Sequence, residues 1–457
     1  MFAMSDTIAA IATPQAAGGI GIVRISGEKA AEIADRVFKT PSGKLLTSSE
    51  GYKAHYGHVV QNEEIIDEAV ALVFRAPRSY TGEDVVELSC HGGLYIVKRV
   101  LRAVLENGAR MAEAGEFTRR AFENGKLSLT QAEAVMDIIG AQGEQAARAA
   151  MSAREGKIAR KIDNLKTEIT GYAAHLAAWA DYPEEDLIPV DTAQLSENLG
   201  DCIERVKKMI ADGDAGRVMR EGIDTVIVGK PNVGKSTLMN CLAGCERSIV
   251  THIAGTTRDI VEEKVVLGDV ILRLADTAGI HSTDDPVESI GVERAKSRMD
   301  NAGLVIAVFD NSMPLDEDDK RLIEGLKNRP CVAVINKNDM ENRLEVDYIM
   351  QNLGHAVYIS AKDENGIDAL SAEISKLLGV AGLNPADGIL SGERQLNCSR
   401  TCLKMLEEAK DALDMGMTLD AVNVSLDSAV AALLELTGER ATDVVTDAVF
   451  HNFCVGK

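Results

Sequence analysis

The run Gly229-Lys-Pro-Asn232-Val233-Gly234-Lys235-Ser236 constrains this chain more than any other feature. Its glycines admit backbone dihedrals that other residues avoid, so successive N–H groups can wrap a phosphate. The lysine neutralises phosphate oxygens, and the serine hydroxyl can hold Mg2+. That chemistry needs a loop between a strand and a helix. The apolar stretch Thr225–Val228 precedes the run and a helical stretch follows from Thr237, so the context is met. Four more apolar strand candidates follow at Val270–Leu274, Leu304–Phe309, Cys331–Ile335 and Ala356–Ile359, most of them separated by helical stretches. Such alternation predicts a parallel, doubly wound sheet, which binds ligands at the carboxyl ends of its strands.

Three further motifs fall at those strand ends. Asp276-Thr277-Ala278-Gly279 offers a carboxylate to Mg2+ through water and a glycine N–H to the γ-phosphate. Asn336-Lys337-Asn338-Asp339 places a carboxylate where guanine presents N1–H and its exocyclic amine, a donor pair that adenine lacks. Ser360-Ala361-Lys362 supplies a backbone N–H for guanine O6. From Gly222 to about Val380 the order and spacing resemble the GTPase superfamily, with GTP rather than ATP as nucleotide. Ras-like members carry a water-orienting glutamine after the Asp-x-x-Gly motif. Ile280 stands there and has no polar group to do so. The stretch Asp284, Asp285 and Glu288 lies just downstream, either as a solvated acidic loop or as the source of the missing group. Thr251-His252-Ile253-Ala-Gly-Thr256-Thr257-Arg258-Asp259 falls where switch I belongs, and one of its threonines is expected to complete the Mg2+ shell.

Outside this block the periodicity changes. Ile158, Ile162, Leu165, Ile169, Tyr172, Leu176 and Trp179 form a heptad stripe and predict a long packed helix. Tyr182–Asp191 breaks it, and Leu195, Leu199, Ile203, Val206 and Ile210 resume a helical face. After the linker Asn384–Gly388 the pattern is helical again. An α/β domain inserted into a helical one follows, with parts at 1–123, 124–216, 217–380 and 381–457. The first part mixes strands (Ile20–Ile25, Val70–Phe74, Val85–Leu88) with a helix at Tyr95–Leu105, and Gly18–Gly19 and Gly92–Gly93 mark turns.

Charge excludes one class of function. With 49 Lys plus Arg against 71 Asp plus Glu the net charge is −22, so tight non-specific nucleic-acid binding needs a local basic patch or a basic partner. The 8 cysteines lack zinc-ligand spacing and read as reduced thiols of a cytoplasmic chain. No apolar run reaches the ~18 residues of a membrane span.

Residues spread along the chain are similar to the MnmE (TrmE) family of tRNA-modification GTPases. They are Gly18-Gly-Ile-Gly-Ile-Val-Arg24-Ile-Ser-Gly27, Tyr80-Thr-Gly-Glu-Asp-Val-Val-Glu87-Leu88, His91-Gly-Gly93, Gly115-Glu-Phe117, Gly255-Thr-Thr-Arg-Asp259 and the tail Phe453-Cys454-Val-Gly-Lys457. The resemblance implies an α/β and α+β multidomain fold: an N-terminal folate-binding and dimerisation domain, a discontinuous helical domain and an inserted Ras-like GTPase domain. It implies a homodimer and a complex with the flavoprotein MnmG, a heterotetramer or larger, engaging tRNA mainly through the complex. The pair would install an aminomethyl-type group on C5 of the wobble uridine with a one-carbon unit from a 5,10-methylene- or 5-formyl-type tetrahydrofolate.

Position by position, the resemblance assigns K+ to Asn232, Thr251, Ile253 and Thr256, and Mg2+ to Ser236 and Thr257. Glu288 becomes the glutamate that orients catalytic water, beside Lys235. Arg24, Glu87, Lys126 and Lys457 become folate contacts, and Cys454 a participant in the tRNA chemistry. His252 stands where the family has aspartate, and Ala114 where it has proline. The competing reading is a ribosome-assembly or RNA-chaperone GTPase, which would carry a basic RNA-binding appendage.

Overall fold

A computed structural model describes residues 6–141, 143–181, 190–244, 263–274, 302–451 and 453–457. It divides into two units, residues 1–136 with 430–457, and residues 137–429. The expected multidomain combination of α/β and α+β parts is present.

The first unit is built on a seven-stranded sheet in the order β3-β4-β5-β6-β2-β1-β7. Its strands are β1 (Ile8–Ile11), β2 (Ile20–Ser26), β3 (Phe38–Lys39), β4 (Lys53–Gln61), β5 (Glu64–Phe74), β6 (Val85–His91) and β7 (Arg110–Met111). Neighbours pair antiparallel except β1 with β7. Helices Ala30–Val37 and Leu94–Glu106 bury Ile33, Val37, Val97, Val100 and Val104 in one core with Val23, Ile25, Val73 and Val86 of the sheet. Side chains alternate along a strand, so Arg24, between Val23 and Ile25, projects from the opposite face. The register sets Arg24 directly across from Glu87. The two Gly-Gly turns bond each other, Gly18 N to Gly92 O at 3.2 Å and Gly92 N to Gly19 O at 3.3 Å. A Cβ at Gly92 would lie 2.4 Å from Gly18 O, so glycine is required.

The same unit holds the end of the chain. Phe450 and Phe453 pack with Leu129, Ala132 and Val135. Val455 then bridges antiparallel to Ala114, which lays the tail along the Gly115-Glu-Phe117 turn.

In the second unit the helix Lys157–Asp181 buries Ile158, Ile162, Leu165, Ile169, Ala173 and Leu176. Two expected members of the stripe drop out: Tyr172 is only half-buried and Trp179 is 41% exposed. The observed spacings of 4, 3, 4, 4 and 3 follow the 3.6-residue turn of a straight helix rather than the 3.5 of a heptad. The expected break over residues 182–189 lies outside the described residues. The helix Thr192–Glu221 opens on Asp191, whose carboxylate accepts from Ala193 N and Gln194 N, and runs past Gly216. It packs antiparallel to the helix Glu393–Asp414. Contacts of Ser196 with Asp414, Lys207 with Glu407, Asp214 with Arg400 and Arg217 with Glu393 run down the pair.

The unit's sheet has the order β13-β12-β11-β8-β10-β9. Its strands are β8 (Ile223–Val228), β9 (Glu263–Leu267), β10 (Val270–Leu274), β11 (Leu304–Asp310), β12 (Cys331–Asn336) and β13 (Ala356–Tyr358). The expectation of an all-parallel sheet needs one correction. β9 pairs antiparallel with β10 because only Gly268 and Asp269 separate them, a hairpin turn with Gly268 at φ 59°. Five consecutive residues of β12, Cys331, Val332, Ala333, Val334 and Ile335, sit at or near zero exposure, as a central strand covered on both faces must. No helix of the described residues is long and apolar enough to cross a membrane.

Candidate functional site

β8 ends at Val228, and the loop that follows turns sharply before the helix Lys235–Gly244. Gly229, Asn232 and Gly234 have φ of 146°, 66° and 101°. Glycine and asparagine tolerate that region best. A Cβ at Gly229 would lie 2.4 Å from Val308 O, and one at Gly234 2.2 Å from Asn336 Nδ2. Lys235 donates from Nζ to Gly229 O at 2.8 Å and Lys230 O at 2.7 Å, which curls the loop around its ammonium. Burial pushes that ammonium below the usual lysine range. A neighbouring anion would restore it, so the site favours phosphate.

Asn336 joins the loops. Its Nδ2 donates to Val233 O at 2.8 Å, and its Oδ1 accepts from Ala361 N at 3.0 Å. The side chain is 3% exposed, so both bonds are shielded from water. One residue thus ties the phosphate loop to both loops expected at the guanine. Asp339 is exposed at the same end and accepts from Ser360 Oγ at 3.1 Å. Lys337 takes φ 64° and its ammonium meets Asp310 at the end of β11. Ser236, Thr237 and Lys362 are exposed at the mouth. Thr251, Ile253, Thr256, Thr257, Asp276, Thr277, Ala278, Gly279 and Glu288 lie outside the described residues.

A second constellation sits on the open face of the N-terminal sheet. Arg24 Nε donates to Glu87 Oε1 at 2.8 Å, and Nη1 to Gly456 O at 3.0 Å. The guanidinium carbon lies 5.6 Å from the Tyr80 ring centroid and 5.5 Å from that of Phe117, within cation–π range. Gly456 has φ 101°, and a Cβ there would meet Ile11 O at 2.3 Å, so the tail docks only with glycine. Burial first, then Arg24, hold the half-buried Lys457 ammonium below the usual range. The structure therefore brings Arg24, Glu87 and Lys457 together. Lys126 stands against the Pro77–Gly82 loop, donating to Pro77 O at 2.8 Å. Cys454 is exposed in the tail, and its carbonyl accepts from Gly115 N at 3.4 Å.

Two family models match this chain. One, described as GTP-binding protein TrmE N-terminus, matches residues 7–126, and the other, described as MnmE helical domain, matches residues 129–454. A protein of Clostridioides difficile (strain 630), called tRNA modification GTPase MnmE, is 41% identical over 457 residues, with 99% of this chain and 100% of the relative covered. The chain belongs to the MnmE family. A relative of the same name from Geobacillus thermodenitrificans (strain NG80-2) is also 41% identical, with 99% of each chain covered. Aquifex aeolicus Era bound to GDP.AlF4- is 29% identical over 40% of this chain and 66% of its own, with a TM-score of 0.26.

Several residues around the two sites of this MnmE-family chain carried no individual signal. Tyr80 and Phe117 lie in motifs that mark the family, yet nothing in the sequence says that their rings flank Arg24. Asp310, which steadies Lys337, sits at a strand end without a motif of its own. Lys230, a variable position of the phosphate loop, is held by Asp316 at 2.6 Å and the buried Asp319 at 2.7 Å. Only contacts across sequence identify these three cases.

Proposed function

We propose that this chain is a GTP hydrolase acting in tRNA modification, and that its target is C5 of the wobble uridine, position 34, of certain tRNAs. The observation that carries the nucleotide half is Asn336, which fastens the phosphate loop to the guanine-side loops through Val233 O and Ala361 N. Membership of the MnmE family along the whole chain carries the tRNA half.

Backbone N–H groups from Asn232 to Thr237 hold the phosphates, and Lys235 neutralises them. Asp339 accepts from guanine, with Ser360, Ala361 and Lys362 beside it. Ser236 and Thr257 would hold Mg2+. Asn232, Thr251, Ile253 and Thr256 would hold K+, supplying between the β- and γ-phosphates the positive charge that an arginine finger gives elsewhere. Glu288 orients water in place of the glutamine that Ile280 displaces.

The N-terminal constellation suits a tetrahydrofolate. Two crowded cations, Arg24 and Lys457, are relieved by a carboxylate ligand, and Glu87 keeps an oxygen for ring N–H donors. Lys126 stands nearby for a second anionic group. Bound there, a 5,10-methylene- or 5-formyl-type folate would supply the one-carbon unit. Cys454, exposed beside Lys457, is the chain's thiol for that chemistry. A homodimer working with the flavoprotein MnmG completes the reading, with parts at 1–123, 124–216, 217–380 and 381–457 serving folate binding and dimerisation, scaffold, GTP hydrolysis, and scaffold with tail.

The test is GTP turnover of the purified full chain in KCl and in NaCl at equal ionic strength. Turnover is expected to be at least tenfold faster in KCl, and Glu288→Ala is expected to remove that gain while GTP still binds. Equal rates in both salts would overturn the K+ assignment.

A further inference from the structure

A chain of net charge −22 must repel an RNA backbone over most of its surface. One stretch runs against that balance. Between Arg154 and Lys166 the sequence places Arg154, Lys157, Arg160, Lys161 and Lys166 against only Glu155 and Asp163. The stretch lies in and just before the helix Lys157–Asp181. The antiparallel helix Thr192–Glu221 faces it with Arg205 and Lys208, and Arg205 bonds Glu168 at 2.7 Å. A cavity of about 290 Å³ opens between the two helices and shares no lining residue with either site described above.

The cavity has three kinds of wall. Lys161, Arg205 and Lys208 supply the cations. Arg205 is compensated by Glu168 and Asp201, but Lys161 bonds only the Gly388 carbonyl, at 3.2 Å, and Lys208 has no ion pair among the described residues. Leu165 and Met209 form an apolar floor. Asn164 and Asp212 add hydrogen-bonding groups at the edge. A ligand that satisfies all three needs an anion, a flat apolar face and donors within one small unit. A nucleotide has these as phosphate, base, and base edge or 2′-hydroxyl. The volume suits one such unit and excludes a duplex. An acidic peptide would satisfy the lysines but leave the floor and Asp212 unused.

We propose that this cleft takes one nucleoside monophosphate unit of an RNA chain, its phosphate drawn to Lys161 and Lys208 and its base set on Met209. The proposal rests on the reading of tRNA as substrate. The cleft is then the local basic patch that so acidic a chain needs.

The test measures binding of bulk tRNA to the full chain across a salt series, for the wild type and for Lys161→Glu with Lys208→Glu. Both lysines are exposed and outside the GTP machinery, so GTP turnover serves as the control for folding. The double variant is expected to bind tRNA at least tenfold more weakly. Its slope of log affinity against log salt should be shallower by ~0.7, the loss of one single-strand phosphate contact. Arginine at both positions is expected to retain binding. A mixture of free 5′-nucleoside monophosphates forms a second arm, expected to compete only at millimolar concentration. Equal affinity and slope in the wild type and the glutamate variant would overturn the proposal, as would micromolar competition by free nucleotide without a change in tRNA binding. Nucleoside mass spectrometry of cellular tRNA separates the two levels. No change on deleting the gene refutes the tRNA reading itself, whereas a deletion defect fully restored by the glutamate variant refutes the cleft alone.

Discussion

Single side chains carry the joints of this molecule. Asn336 is legible in the sequence as part of a guanine motif, but its grip on Val233 is not, because the acceptor is a backbone carbonyl 103 residues away. Asn336→Ala would leave Val233 O and Ala361 N without partners in a buried place, at about 1–3 kcal/mol each. GTP affinity is expected to fall at least tenfold in a direct titration, and an unchanged affinity would show that the loops hold their places without it. His91 shows the same limit. Its motif is visible, whereas its partner Asp67, at 2.7 Å from Nδ1, sits on another strand. The hydrogen bond that His91 Nδ1–H donates to Asp67, then the Asp67 charge, raise the His91 pKa above the ordinary 6.5. The folded pKa exceeds the unfolded one, so this contact stabilises fully below pH 6.5 and is lost as pH rises through the folded value. An NMR titration is expected to give His91 a raised midpoint, and Asp67→Asn to return it to the ordinary range.

At the scale of elements, long periodic segments and strands flanked by motifs were legible, while short or interrupted ones were not. The helix Lys157–Asp181 was clear from its apolar stripe, but a heptad reading chose Tyr172 and Trp179 where the 3.6-residue turn buries Ala173 instead. Ile169→Ala is therefore expected to cost about 2–5 kcal/mol in urea unfolding, the range for an emptied core position. Trp179→Ala, at an exposed position, is expected to cost under ~1 kcal/mol. Comparable losses would restore the heptad seam. β4 carries no clear strand pattern because its apolar residues are diluted by His55, Gly57 and His58. Gly57 is nonetheless required, since a Cβ there would lie 2.3 Å from Lys39 O of β3. β9 was hidden by its place in a hairpin, outside the strand–helix rhythm of the rest of its sheet.

For the whole molecule, the sequence motifs point to nucleotide binding in the second unit and name Arg24, Glu87 and Lys457 in the first, and the fold gathers several of the named residues at each place. The last residues of the chain return to the N-terminal sheet, where Gly456 O accepts from Arg24. No local signal in Phe453–Lys457 specifies that return; it depends on Gly456 at positive φ and on Phe450 and Phe453 packing against Leu129. We propose that GTP hydrolysis in this chain serves tRNA modification through chemistry at that tail. The most direct measurement is mass spectrometry of wobble nucleosides in tRNA from a deletion strain carrying either the wild-type chain or Cys454→Ser. Full modification is expected with the wild type, its loss in the deletion strain, and its loss with Cys454→Ser although that purified variant hydrolyses GTP at the wild-type rate. Unchanged wobble nucleosides in the deletion strain would contradict it.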